Sequence, residues 1–215
     1  AVQSRMGIGD TVIFLPFMKA LSKKFNSPIS ILVKKNSKAN EYLHQTKYID
    51  KILILERDNK TNNRHGGFFG IFKLAKDLKK YKFDKIFIFN SSLRFNLIAK
   101  ISGIPQIYQY PLFTKNKQHI IETPKKFLKE NLHLDINEDP EVQIDSDLIS
   151  KAAQKFQIDK NTTNILLGIG GSGPTKRIPA KTFLSVIDLS SNMKNCRFFL
   201  ATGEAKEEQE VLKEM

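Results

Sequence analysis

A chain of 215 residues, 40% hydrophobic and 27% charged, is long enough to bury a sizeable core and belongs with folded globular proteins, not with disordered or fibrous ones. One cysteine excludes a disulfide framework and a Cys-rich zinc site. The four histidines (His44, His65, His119, His133) show no metal-ligand spacing, and no apolar run reaches the ~18 residues of a membrane span. The net charge of +13 lies wholly in residues 1–100, which hold 20 Lys and Arg against 7 Asp and Glu. Such a field favours an anionic partner, whether nucleic acid, an acidic membrane surface or a phosphorylated substrate; a lysine-rich solvated surface is the plainer alternative. The first ten residues contain Arg5 and Asp10 and no apolar h-region, which sets a reducing, cytoplasmic location as the expectation.

In chain order, 1–5 reads as the stub of a strand that runs into a glycine turn. Helical periodicity over 10–25 follows, with Pro16 predicting a kink or a late helix start. Residues 29–33 (Ile-Ser-Ile-Leu-Val) and 51–55 (Lys-Ile-Leu-Ile-Leu) predict strands, with a helix over 39–45 between them. A helix over 71–80, a strand over 84–89 and a short strand over 107–110 come next. Short, almost wholly apolar strands separated by helices predict a buried parallel sheet with crossover helices, the doubly wound α/β class. An acidic stretch at 130–147 then marks a change of composition, followed by a helix over 147–156. The pattern restarts with a strand at 164–169, a Gly-rich turn, a helix over 180–193, a strand at 197–201 and a helix over 205–215. Two domains are therefore expected, 1–160 and 161–215, the second incomplete because two strands cannot bury both faces of a sheet. A first residue that is Ala and not Met adds the expectation of a fragment cut at both ends.

Four segments carry candidate chemistry. Met6-Gly7-Ile8-Gly9-Asp10-Thr11 puts two glycines and an acid between the first strand and the first helix, at the sheet edge where open α/β folds bind ligands. Asp10 is there either a reactive carboxylate or an ordinary helix cap. The second segment is 168–179, Gly-Ile-Gly-Gly-Ser-Gly-Pro-Thr-Lys-Arg-Ile-Pro. It offers backbone N–H groups that cradle phosphate, with Lys176 and Arg177 to neutralise it. Gly168, Gly170 and Gly173 match the dinucleotide fingerprint only formally, because Pro174 follows where the helix should be running, and a structural glycine turn is the alternative. Third, Gly203-Glu204-Ala205-Lys206-Glu207-Glu208 follows a strand end, where an acid accepts from ribose or sugar hydroxyls or simply suits the helix dipole. Last, residues 57–70 form a basic, Asn- and Gly-rich loop containing Arg57, Lys60 and Arg64, which Arg94 can join. It is either a substrate loop or a solvated one.

Together these segments resemble glycosyltransferase family 9, the heptosyltransferases of the lipopolysaccharide inner core. The likeness runs along nearly the whole chain. The opening Gly-x-Gly-Asp turn with its early proline is matched at 6–16, and the family's Lys-Arg-Trp-Pro is matched at 176–179 with Ile178 in place of Trp. The glycine and Glu-rich helix start are matched at 203–208. The order and spacing of the motifs carry the resemblance, not any one of them. It implies a GT-B architecture of two Rossmann-like doubly wound domains facing a cleft, acceptor in the first and nucleotide-sugar donor in the second. It also implies inverting, metal-independent transfer with no cofactor, and ADP-heptose as the commonest donor. By resemblance Asp10 is the general base and Lys176 stabilises the departing diphosphate. Gly171, Ser172, Thr175 and Arg177 hold phosphate and Glu207 the nucleoside. Gly9, Arg57, Lys60, Arg64 and Arg94 meet a lipid-linked anionic oligosaccharide acceptor, with peripheral contact at the cytoplasmic face of the inner membrane and no nucleic acid. The family's further Asp-Thr-Gly and His motif lies past Met215, so this segment by itself is expected to be inactive. Two rival readings are a Rossmann oxidoreductase or epimerase using 168–173, for which no acid–base pair is visible, and a non-enzymatic polyanion-binding module.

Overall fold

The structure, a computed structural model, describes residues 1–3, 7–57, 63–112, 119–171, 177–193, 195–203 and 206–215. They form two compact units, Ala1–Asp145 and Ser146–Met215. The division falls earlier than the 160 expected from composition. The stretch after helix 146–155 is tied to the second unit: the Phe156 ring stands edge-on to Phe199, and the Arg197 guanidinium donates to the Gln157 carbonyl.

Unit 1 is a parallel five-stranded sheet of β1 (Val2–Gln3), β2 (Ile29–Lys34), β3 (Ile49–Leu55), β4 (Lys85–Phe89) and β5 (Gln106–Gln109), in the order β3-β2-β1-β4-β5. Each neighbouring pair is parallel, with registers such as Val2↔Leu32, Val2↔Ile88 and Phe87↔Tyr108. Strand side chains alternate between faces, and here both faces are apolar. On one face Ile31, Val33, Phe87 and Phe89 pack with α2 (Leu15–Phe25) and α6 (Glu122–Leu132). On the other, Leu32, Ile86 and Ile88 pack with α4 (Phe69–Lys79) and α5 (Leu93–Ile101). Burying each such side chain contributes about 1.5–3 kcal/mol. The order and the two-sided packing are those of the doubly wound class.

The helix expected over 10–25 is two helices, α1 (Ile8–Ile13) and α2, hinged at Phe14. Pro16 sits in the first turn of α2, where its missing N–H costs nothing. The helix expected over 39–45 is the single turn α3 (Ala39–Tyr42). Helices α5 and α6 were not expected from the sequence. The α6 face Pro124, Phe127, Leu128 and Leu132 is regularly spaced and buried, whereas α5 carries apolar residues on both sides and shows no stripe.

Unit 2 comprises α7 (Ser146–Lys155), β6 (Thr163–Ile169), α8 (Ala180–Met193), β7 (Cys196–Thr202) and α9 (Lys206–Glu214). β6 and β7 pair in parallel from Thr163↔Cys196 to Ile169↔Thr202. Its core is Leu167, Ile169 and Phe183, flanked by Ile165, Ile187, Phe198, Val211 and Leu212. The opposite face of β6 stays in solvent, with Leu166 70% exposed.

Candidate functional site

In unit 1 the strand order reverses between β1 and β4. The chain leaving β1 passes to α1 and α2 on one face, and the chain leaving β4 passes to α5 on the other. Loops that diverge in this way open a crevice at the carboxyl ends of the two strands, the place where open α/β sheets bind ligands. Gly7, Gly9 and Asp10 stand at the β1 side of it, and Gln3↔Phe89 sets Asn90 at the β4 side. Asp10 is half-buried, in the first turn of α1, and its Oδ2 accepts the Gly7 N–H at 3.4 Å. That contact is long for a cap and occupies little of the carboxylate. Thr11 Oγ1 donates to the Gly7 carbonyl at 2.8 Å and steadies the turn. Gly9 is exposed, with open space where a Cβ would be.

A polar cluster closes the β4 side. Asn90 Oδ1 accepts the Ser92 N–H at 3.0 Å, which fixes which way the amide points. Gln109 Nε2 donates to the Asn90 and Ser92 carbonyls at 3.1 and 3.0 Å, and Asn96 Nδ2 donates to Gln109 Oε1 at 2.8 Å. Asn90 Nδ2 is buried without a hydrogen-bond partner, a donor left over at the ligand edge. Sequence reasoning passed over Asn90, Asn96 and Gln109. The polar Asn90-Ser91-Ser92 run directly after an apolar strand was the available signal.

The basic loop resolves into different roles. Arg57 is exposed. Arg64 is held by Asp77 at 2.7 Å and Glu56 at 3.4 Å, so its guanidinium serves a structural network. His65 is buried at the centre of that network. Its Nδ1 accepts the Glu56 N–H at 3.0 Å, which leaves the ring proton on Nε2, 3.2 Å from Asp77 Oδ2. Burial pushes the Asp77 carboxyl up, but hydrogen bonds from Lys80, His65 and Arg64 outweigh it and hold the pKa at about 2. Gly70 is required here, because a Cβ would lie 2.2 Å from the His65 carbonyl carbon. Arg94 donates to the Gly67 carbonyl at 2.7 Å and to the His65 carbonyl, clamping the start of α5 to this turn. Burial and, after it, the nearby Arg57 guanidinium lower the Arg94 pKa below its usual value. The structure thus brings Arg57 and Arg94 together as one electropositive corner. Lys60 lies outside the described residues.

A groove of about 640 Å³ opens at the other, amino edge of the sheet, lined by Ser30, Asp50, Asp84, Lys85 and Gln106. It lies at the wrong end of the strands for the chemistry of this fold.

In unit 2, Ser172, Thr175, Lys176 and Glu204 lie outside the described residues. Gly171 is half-buried. Gly170, at φ +145, closes β6 in a conformation that side chains avoid, and a Cβ there would meet the Glu208 carboxylate at 2.5 Å. Glu208 Oε2 accepts the Gly203 N–H at 2.6 Å, so this acid stands at the carboxyl edge of both strands. Its neighbour Glu207 is exposed and faces Arg177 at 3.9 Å. The Arg177 Nε is buried and unpartnered beside the Gly-rich segment.

No protein-family model and no curated protein matches the sequence. Solved structures do match. A glycosyl transferase family 9 protein from Veillonella parvula DSM 2008 superposes with a TM-score of 0.76 at 20% identity, over all of this chain and 65% of its own. The chain shares a glycosyltransferase fold. The ADP-heptose LPS heptosyltransferase II of E. coli gives 0.68 at 15% identity, over 100% of this chain and 68% of its own. E. coli heptosyltransferase WaaC, solved with ADP-2-deoxy-2-fluoro heptose, gives 0.60 at 13%, over 99% and 71%. The chain therefore spans about two thirds of the length of these glycosyltransferases.

Proposed function

We propose that the protein to which this chain belongs is a GT-B glycosyltransferase that moves a sugar, heptose above all, from a nucleotide-diphosphate donor to a lipopolysaccharide-core acceptor. The observation that carries this reading is the β3-β2-β1-β4-β5 sheet, which sets the Gly7–Asp10 turn at its switch point, within a fold shared along the whole chain with glycosyltransferases.

In this reading the acceptor hydroxyl attacks the anomeric carbon from the face opposite the diphosphate, so configuration inverts. A new C–O bond forms as the bond from sugar to phosphate breaks. Asp10 takes the hydroxyl proton, and the nucleoside diphosphate leaves carrying the electron pair. Lys176 meets the charge that grows on the leaving oxygen, the electrostatic task that contributes most in such transfers. Gly171, Ser172, Thr175 and Arg177 hold the diphosphate, and Glu207 the nucleoside. Gly9, Arg57, Lys60 and Arg94 hold the anionic, lipid-linked acceptor, with Arg64 shaping the loop through Asp77. No metal ion or cofactor takes part, and the site of action is the cytoplasmic face of the inner membrane.

Asp10→Asn in the complete protein tests the reading. It keeps the shape of the turn and removes the base, and should lower kcat by about 10²–10⁴-fold while donor affinity stays within about twofold. Turnover at the wild-type rate removes Asp10 as the base.

A further inference from the structure

The outward sides of α4 and α5 begin with apolar residues where solvent-facing helix sides are ordinarily polar. Phe68, Phe69 and Phe72 are 69%, 76% and 47% exposed. Leu93 and Leu97 are exposed on the neighbouring helix, whose first turn Arg94 clamps to the same 65–67 turn. Exposed large apolar side chains are unremarkable singly, but a contiguous group marks an interaction face. Further along the outward side of α4 stand Lys73 and Lys76, four residues after Phe69 and Phe72 respectively. Both are exposed, and neither pairs with an acid among the described residues.

We propose that this face docks the protein on an anionic phospholipid bilayer, with the three phenylalanines entering the interface and the α4 lysines meeting the headgroups. Aromatic side chains beside unpaired lysines on one helix side suit the boundary between acyl chains and charged headgroups. A second copy of the chain is disfavoured as occupant, because residues 1–100 carry the whole +13 and two such surfaces repel. Single-stranded nucleic acid is disfavoured by ring geometry. Phe68 packs edge-on against Phe69 and Phe72, at interplanar angles of 79° and 69°, so the rings form a knob and not a row of open platforms for bases. The inference rests on the reading above for its purpose, since a lipid-linked acceptor brings the enzyme to a membrane, but its test reads lipid binding and not transfer, so each can fail alone.

The complete protein is sedimented with vesicles of phosphatidylglycerol and phosphatidylethanolamine, and separately with phosphatidylcholine vesicles. The expected result is binding to the anionic vesicles only. The triple change Phe68→Ser, Phe69→Ser, Phe72→Ser and the double change Lys73→Glu, Lys76→Glu each weaken it by about tenfold or more, with unchanged melting temperatures. These 215 residues contain no tryptophan, so in Phe69→Trp the emission added over the unsubstituted complete protein reports on this face, and it should shift to the blue on anionic vesicles. Equal binding to phosphatidylcholine, unchanged binding by the Phe triple variant, absence of the blue shift, or binding of a single-stranded RNA oligonucleotide in place of the vesicles overturns the proposal. Absence of any sugar transfer by the unsubstituted complete protein, with vesicle binding intact, overturns the transferase reading and leaves this face standing.

Discussion

Units 1 and 2 are both built from strands alternating with helices, yet unit 1 buries both faces of its sheet and unit 2 buries one. In unit 1, Ile88 and Phe89 are adjacent in β4 and both almost fully buried, one in each of two core clusters. In unit 2, Leu166 and Leu167 are adjacent in β6, and only Leu167 is covered. Leu189 on α8 is likewise 67% exposed. A parallel sheet gains most of its stability from helices on both faces. Crossover order alone does not supply that, and within these 215 residues unit 1 is the better covered of the two.

The largest effect expected from this contrast is on Phe89→Ala. Its ring meets Phe14, Tyr110 and Phe127 edge-on, so its removal should cost about 3–5 kcal/mol, read as a lowered midpoint of urea denaturation. Next, amide hydrogen exchange should be at least about 100-fold slower in β4 than in β6. Equal protection in the two strands would break the comparison.

A smaller effect is expected at Asp77, which joins α4 to the 63–67 turn through Arg64 and His65. Asp77→Asn keeps the shape and loses the charge, for a cost on the order of 1–3 kcal/mol. The sign of its pH dependence follows from a folded pKa of about 2 against 3.8 unfolded. The contribution is complete above the unfolded value and is lost as pH falls from about 4 through about 2, so wild type and Asp77→Asn should converge in stability across that window. Least of all, Leu166→Thr in the 215-residue chain should change stability by no more than about 0.5 kcal/mol, since the side chain is 70% exposed there. A large loss there would show that this face is covered.

Much of the fold was legible because β-strands such as 29–34 and 85–89 are short, apolar and separated by helical spacing. What escaped has physical reasons. The α5 helix shows no stripe because Leu93 and Leu97 stay exposed while Phe95, Ile98 and Ala99 are buried, so its two sides look alike in the sequence. The break at Phe14 was announced by Pro16, but the sequence did not say on which side of the proline the helix would part. At the site, the glycine turn and Asp10 were readable as motif, whereas the Asn90–Gln109 cluster joins the residue after β4 to the last residue of β5, which only the sheet brings together. Arg64 and Arg94 looked equivalent as loose basic residues. Their separation into a network member and a clamp depends on Asp77 and on the carbonyls of 65 and 67.

The most direct test of the central claim is nucleoside-diphosphate release by the complete protein, supplied with a nucleotide-diphosphate heptose and a lipid-linked core acceptor. Sugar transfer at the unit 1 sheet edge predicts release that requires the acceptor, matches its glycosylation one for one and disappears in Asp10→Asn. Release that proceeds equally without acceptor, or no release with any nucleotide-diphosphate sugar, would contradict it.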